Sequence, residues 1–544
     1  MNLRFIASLM IAGAACSAFA QGYTDGIEYY KADRLANAKE LLLRNLDASA
    51  TDKAASYYYL GMIALRDKND AAARSYFDKG IAANPDYAYN YVGVGSMLLK
   101  SSPKEAESNF KQAEKLGKKD AGVEIAIARA YYNADPVAYA KDIEKKIEKA
   151  RKINMESPDI YILEGDMRAD EKKWGESAGL YEMATTYAPN ATEAYVKGAD
   201  IYMNVPVTGP KAAVALLKKR LANSESALAR RELANIYYET NQFKEAAEEY
   251  GKYINNPNHF VSDEDRYAFL LFYGENYKAG YNYASKLLKE NPDNFTAMRF
   301  QFMNAAQMPE MASSLLPMAE KLYAKHKADK NNEFAPIDFI LVSSEFTVDK
   351  NFDKAEEVLN EAIATYPDNA QFNKNLAMLY VDMERYADAA KAFKTYLSKL
   401  DSPSFDDLIH QATLSYYGAI QARKDNPELA GSLFNETIEY AKKAETANPA
   451  MYRPNKIYGD VAKERASKET ITSAAAADYQ AAIDKLEKLP DTSKYSRDAR
   501  ELYNYMGNYY LDKKDTATAK KYFQKYLEYD PDNADYRKFV DSLK

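Results

Sequence analysis

Between Tyr57 and Pro85 the chain reads YYYLGMIALRDKNDAAARSYFDKGIAANP. Gly61 is followed by Ala73 after 12 residues, by Phe77 after another 4, and by Pro85 at 24. The spacing predicts two helices with a turn between them. A small residue at Gly61 lets a first helix approach a second closely, and Ala73 is the matching small residue on that second helix. Phe77 stands one turn further on and fills the gap between them. Pro85 has no backbone N–H to offer a helix, so it ends the second one.

The same offsets return at Tyr503, Gly507, Tyr510, Ala519, Phe523 and Pro531. They recur with substitutions at Ala234, Tyr237, Ala246 and Tyr250, and at Ser343, Phe346, Ala355, Leu359 and Pro367. The small position runs through Gly26, Gly61, Gly95, Ala130, Gly165, Ala199, Ala234 and Ala268 in steps of 34 or 35 residues. After that the period changes. From Ser343 the steps are 34 to Ala377, 41 to Gly418, 41 to Gly459 and 48 to Gly507. Seven extra residues are about two helical turns, so the repeat keeps its face on longer helices. Residues 303–336 match worst. They hold Met308-Pro309, Leu316-Pro317 and the polar run His326–Glu333, and read as a degenerate repeat or a hinge. The expected organisation is an N-terminal array over 21–302, that segment, and a C-terminal array over 337–544. It amounts to about 14 helix pairs, with Asn533–Leu543 as a capping helix.

Composition agrees. A chain of 544 residues is too long for one compact core, and its 47% hydrophobic and 28% charged residues are those of a folded protein. The net charge of -7 argues against phosphate-backbone binding, so no nucleic-acid partner is expected. No apolar run reaches the ~18 residues a membrane span needs. Residues 1–20 read as a secretory signal: Arg4, then the apolar stretch Phe5–Ala15, then Ala18-Phe19-Ala20 with small residues where a signal peptidase reads. Cleavage after Ala20 predicts a periplasmic or secreted protein. Lipidation at Cys16, as an outer-membrane lipoprotein, is the second reading. It is disfavoured because Gly13-Ala14-Ala15 lacks the larger aliphatic residue that usually begins such a site. The chain from Gln21 has no cysteine, which excludes a disulfide, a thiol nucleophile and a cysteine-ligated zinc.

Chemistry-bearing motifs are absent. His259, His326 and His410 lie in different repeats, and none sits in a His-Glu-x-x-His frame. Gly93-x-Gly95 lacks the third glycine of a dinucleotide loop, which would fall on Leu98. Carboxylates such as Asp166, Asp170 and Glu171 recur at helical spacing, as on a solvated face. No enzyme, cofactor or metal site is expected. The one compositional outlier is tyrosine, 47 residues against a single tryptophan.

The pattern aromatic, Leu-Gly, Tyr, Ala, Phe, Pro at these offsets resembles the tetratricopeptide repeat, over nearly the whole chain from residue 21. The exported, Gram-negative kind is the one that the signal suggests. The resemblance implies an all-α, right-handed superhelical solenoid of stacked antiparallel helix pairs, whose first helices line a concave groove that binds protein partners. Tyr58 and Tyr238 then fall on the groove face, and Arg231, Asn235 and Tyr238, spaced by 4 and 3, share one face of a single helix. These four are the expected partner-binding residues. Arg231 and Asn235 also match the first two positions of the family's carboxylate clamp. Arg266 stands where its next Asn would be, so that function is not carried over. Asp515-Thr516-Ala517 and Asp541-Ser542-Leu543 fit a bacterial O-glycosylation tripeptide at Thr516 and Ser542; a helix cap is the other reading of Thr516. The expected function is a non-enzymatic scaffold for protein partners in an envelope assembly, such as outer-membrane biogenesis or TonB-type energy coupling. The alternative is a glycan-binding module whose tyrosine-rich groove stacks on polysaccharide.

Overall fold

A computed structural model describes residues 22–466 and 472–543. The expected signal segment, with Cys16 and the cleavage point after Ala20, lies outside the described residues. Among the described residues there are 29 α-helices and no strand. In chain order they run as fourteen two-helix units, from 22–31 with Leu35–Arg44 to Ser496–Asp512 with Thr516–Glu528, followed by the single helix Ala534–Ser542. The chain divides into two compact units, one ending at Asn304 and the other beginning at Ala305.

The small-to-aromatic pairing is the one the spacing predicts. A β-carbon built on Gly61 would fall under 3.0 Å from the Phe77 ring, and one on Gly507 would meet Phe523 in the same way. On Gly165 it would lie 2.6 Å from Tyr181, and on Gly459 2.5 Å from Tyr479. Gly418 departs from the rule: its neighbours are the backbone of Tyr386 and Ala387 in the preceding repeat, not Phe434.

The turn within eight of the fourteen pairs has a feature the spacing did not disclose. Asp33, Lys68, Lys172, Asn241, Glu275, Lys350, Glu384 and Lys514 all have φ between 57° and 63°. Each lies seven residues past a small position. The backbone there closes a Schellman turn, as when Asn69 N–H donates to Ala64 O at 2.8 Å and Lys68 N–H to Leu65 O at 3.0 Å. Some second helices then begin on a side-chain cap, with Asn69 accepting from Ala72 N–H and Asp515 from Thr518 N–H. Asp515 is thus the cap that the sequence reading gave to Thr516, which is the first helical residue.

Segment 303–336 is mostly helical. Helix Ala312–Ala328 runs through Pro317, because only the carbonyl of Ser313 loses its partner there and that residue is exposed to water.

Many of the tyrosines are structural. Their rings are buried or half-buried while their hydroxyls donate to carboxylates. Tyr181 reaches Asp166 at 2.7 Å, Tyr380 reaches Glu356 at 2.8 Å and Tyr503 reaches Glu487 at 3.0 Å. Phenylalanine could fill the space but would take one hydrogen bond from each of those carboxylates.

Candidate functional site: one closed interior and one open groove

In the first unit the array closes on itself. The helix pair 22–31 and Leu35–Arg44 packs against the pairs that follow residue 190. Arg34 donates to Asp200 at 2.9 Å and to Glu232 at 3.0 Å. Lys31 lies 3.4 Å from Glu193 and 3.6 Å from Asp159. Lys197 joins Asp33 to Asp166. Arg44 donates to the carbonyls of Asn258 and His259, and Tyr29 meets Phe260 edge-on at 5.4 Å. These contacts of the first pair span 128 to 233 residues of sequence, from Lys31–Asp159 to Asp25–Asn258. A pocket of about 110 Å³ lined by first helices lies beside these contacts.

This closure decides where the four expected groove residues stand. Tyr58 does face the concave side, but it is 6% exposed and lines that small cavity. Arg231, Asn235 and Tyr238 do share a face, and the next repeat fills it. Arg231 donates to both oxygens of Asp263 at 2.7 and 3.1 Å and covers the Phe260 ring at 5.4 Å. Burial pulls the guanidinium pKa down, and the Asp263 bonds more than restore it, so the pair stays ionised. Arg266 donates to Asn235 at 3.5 Å and lies over the Tyr238 ring at 5.4 Å. Tyr238 alone is exposed, at 36%. The structure does not join these residues to Tyr58. Thr516 is half-buried, and Ser542 is exposed with its hydroxyl donating to Phe539 O at 2.6 Å.

In the second unit the concave side is open. A groove of about 540 Å³ runs across three successive first helices. Helix Phe405–Ala422 gives Asp406, Ile409, His410, Thr413, Tyr416 and Tyr417, one stripe at helical spacing. Helix Arg453–Arg465 gives Arg453, Lys456, Ile457 and Asp460, and helix Ser496–Asp512 gives Arg497, Asp498 and Glu501.

Its chemistry is mixed. Lys456 bridges Asp460 at 3.1 Å and Glu501 at 3.0 Å. Burial alone would drive its pKa down, but the two carboxylates hold it above the usual lysine value. Arg497 is 84% exposed and 3.3 Å from Glu501. Tyr417 is 46% exposed and packs against Tyr386. His410 leans on Phe393 at 4.7 Å, and its Nε2 is buried with no hydrogen-bond partner among the described residues. Burial first, then Lys374, pushes its pKa down, so the ring is neutral. The other two histidines are structural: His259 bonds to Asn256 O and Glu264, and His326 stacks on Phe334 at 4.1 Å. Among the described residues no cluster of three or more His, Cys, Asp or Glu could hold a metal, and no helix is long and apolar enough to cross a membrane.

Sequence reasoning missed this groove, yet a signal was present. The repeats that build it are those whose period lengthens to 41 and 48 residues. The added turns precede the small positions Gly418 and Gly507, and they carry Asp406, Ile409 and His410 on one helix and Arg497 and Asp498 on the other.

Stacked antiparallel helix pairs with a small-residue crossing and a concave first-helix face define a helical-repeat protein. Two stretches match family models described as tetratricopeptide repeat, residues 23–88 and 349–412, so such repeats stand in both units. No curated protein matches the chain. Among solved structures, the chain is similar to the C-terminal part of a TPR repeat-containing protein from Cytophaga hutchinsonii, at 15% identity, covering 52% of this chain and 99% of that one with a TM-score of 0.40. A tetratricopeptide repeat protein from Parabacteroides merdae is 14% identical over 56% of this chain and 98% of its own, with a TM-score of 0.29. Yeast Tom70 is 15% identical over 92% and 98%, with a TM-score of 0.27.

Proposed function

We propose that the protein is an exported, non-catalytic scaffold that holds a protein partner in the groove of its C-terminal unit. The observation that carries this is the groove's make-up. Each first helix offers a different mixture: Tyr417 with His410 and Asp406, then Arg453 with Asp460, then Arg497 with Glu501. A surface that varies from repeat to repeat suits a polypeptide, whose side chains also vary along its length. A polysaccharide would call for flat exposed aromatics in series, and here Tyr416 is half-buried beside Tyr417. Tetratricopeptide repeats in both units support a protein-interaction role. Arg4, the apolar stretch and Ala18-Phe19-Ala20 support export, and with it an envelope assembly as the setting.

The test is site-specific photocrosslinking in the native host. A photoreactive residue at Tyr417 or Thr413 should trap one defined partner, and Arg453→Ala with Arg497→Ala should abolish the adduct. The same residue at Val348, exposed and outside the groove, should not trap it. Equal trapping from both places would sink the reading. Detection of the chain in the cytoplasm with Met1 intact would sink the export part alone.

A further inference from the structure

We infer that the first helix pair, residues 22–44, is a displaceable cover on an acidic face of the first unit, and that this face takes a basic segment of a partner protein when the cover lifts. The site is separate from the groove of the second unit.

Three consecutive first helices build the covered face: Pro158–Asp170, Thr192–Met203 and Ala227–Glu239. Asp159 and Glu193 hold the same place in the first turns of two of them, and Asp200 and Glu232 stand further along. Among the described residues these four carboxylates form ion pairs with only two cations, and both belong to the cover. Lys31 serves Asp159 and Glu193, and Arg34 serves Asp200 and Glu232. The other charges at the seam depend on the cover less. Asp166 keeps Arg129 and Lys197 whether or not the cover is in place. Only Arg66 and Arg220 would lose a carboxylate, from Asp33 and Glu28. Four carboxylates set free against two cations make the bared face acidic. A segment that brings cations to where Lys31 and Arg34 now sit is its complement.

The way the cover is held makes it displaceable. Its tether is long: residues 45–52 join it to the next pair, eight residues, whereas 84–87, 117–120, 154–157 and 188–191 join later pairs with four each. Its fit is also costly. Tyr29 is 1% exposed against Phe260, and its hydroxyl is buried with no hydrogen-bond partner among the described residues. In the closed form that group gives up a bond to water and gets none in exchange, and opening restores it. Burial also pushes the pKa values of Glu28 and Asp25 up, so closing the seam works against their ionisation.

The experiment uses the chain from Gln21, which has no cysteine. Asn258 Nδ2 donates to Asp25 Oδ2 at 2.9 Å across the seam, so Asp25→Cys with Asn258→Cys permits a reversible disulfide that locks the cover down. The probe is a fluorescent alanine-based peptide with Tyr, Lys and Arg at the spacing of 29, 31 and 34. Its control carries Glu in place of Lys and Arg. The reduced chain should bind the probe at low salt, and the oxidised chain should bind it roughly tenfold more weakly or worse. Lys31→Ala with Arg34→Ala unfastens the cover without a thiol and should tighten binding roughly tenfold. Asp159→Asn with Asp200→Asn, both partly exposed, should weaken it about three- to tenfold. Circular dichroism checks that each variant keeps its helices, and the oxidised and reduced forms compare one folded chain with itself. The inference is overturned if the disulfide does not form, if the two forms bind alike, if the Glu peptide binds as well, or if no form takes the probe at ~1 mM. A reduced chain that dimerises in light scattering while the oxidised chain stays single would give the face to a second copy, and would overturn the basic partner. None of these results reads the groove of the second unit, because the lock and every substitution lie within residues 22–258.

Discussion

Arg34→Ala separates a closed array from an open one. In an open solenoid each repeat touches only its neighbours, and damage to the first pair stays with the first two. Here Arg34 ties the first pair to residues 166 and 198 positions away. The Asp200 side chain is 49% exposed, so that pair contributes about 0.5 kcal/mol. Glu232 is different, with its side chain 12% exposed. Stripping the partner from a buried carboxylate costs about 3–5 kcal/mol, and partial access to water brings this down to about 2. The expected destabilisation is about 2–3 kcal/mol. Hydrogen exchange measured peptide by peptide shows where it falls. Protection should drop in 22–44 and also in 192–203 and 227–239, while 340–543 keeps its wild-type rates. Loss confined to 22–83, or a variant indistinguishable from wild type, would refute the closure argument.

Four further outcomes are expected. Arg231→Ala should destabilise the protein by about 3 kcal/mol, because it strands Asp263, whose side chain is 4% exposed; a melting curve that does not move would show that the pair is dispensable. Gly507→Leu should drive a side chain into the Phe523 ring and cost about 1–3 kcal/mol, with raised exchange limited to the C-terminal repeats. Lys514→Gly should raise stability by about 0.5–1 kcal/mol in chemical denaturation, since a left-handed lysine at φ 63° costs more than the freedom glycine loses. The seam should also weaken with rising pH. Burial pushes Glu28 up to about 7 and Asp25 up to about 6; Thr192, Arg220, Asn258 and Arg44 oppose the rise, while Glu193 and their mutual repulsion add to it. A raised carboxylate pKa means that the native state holds the proton longer than the unfolded one. The stabilisation is therefore full below pH ~4 and is lost as pH climbs through 6 to 7. Glu28→Gln should flatten that decline in melting temperature, and an unchanged slope would remove Glu28 from the account.

The repeat and its boundaries were readable because they rest on local rules. Gly61, Ala73, Phe77 and Pro85 act through one helix crossing, and a crossing leaves a fixed spacing behind it. The seven-residue offset from each small position to a left-handed residue went unseen. Lys68 or Glu384 looks like any surface charge in a sequence, and only glycine would have advertised positive φ. The face shared by Arg231, Asn235 and Tyr238 was legible from periodicity, but its occupant was not. Asp263 and Arg266 lie one repeat away, and whether neighbours pair depends on how tightly the array curls. That curl is summed over many small rotations, so no single residue encodes it, and the closing contact between Arg34 and Glu232 left no trace in the spacing. The open groove followed from the same blindness: the lengthened period was visible, but not that its extra turns would line free space.

The seam also sets a schedule for folding. A chain made from its N-terminus presents Tyr29 long before Phe260 exists to cover it. At roughly 5–20 residues per second, some 230 residues take on the order of 10–50 s to follow. For that interval the first pair has an apolar flank with no mate, and contacts this distant in sequence are slow to form. Fragments that stop short of residue 260 should therefore be sticky, and they should need a holding chaperone that the finished protein does not.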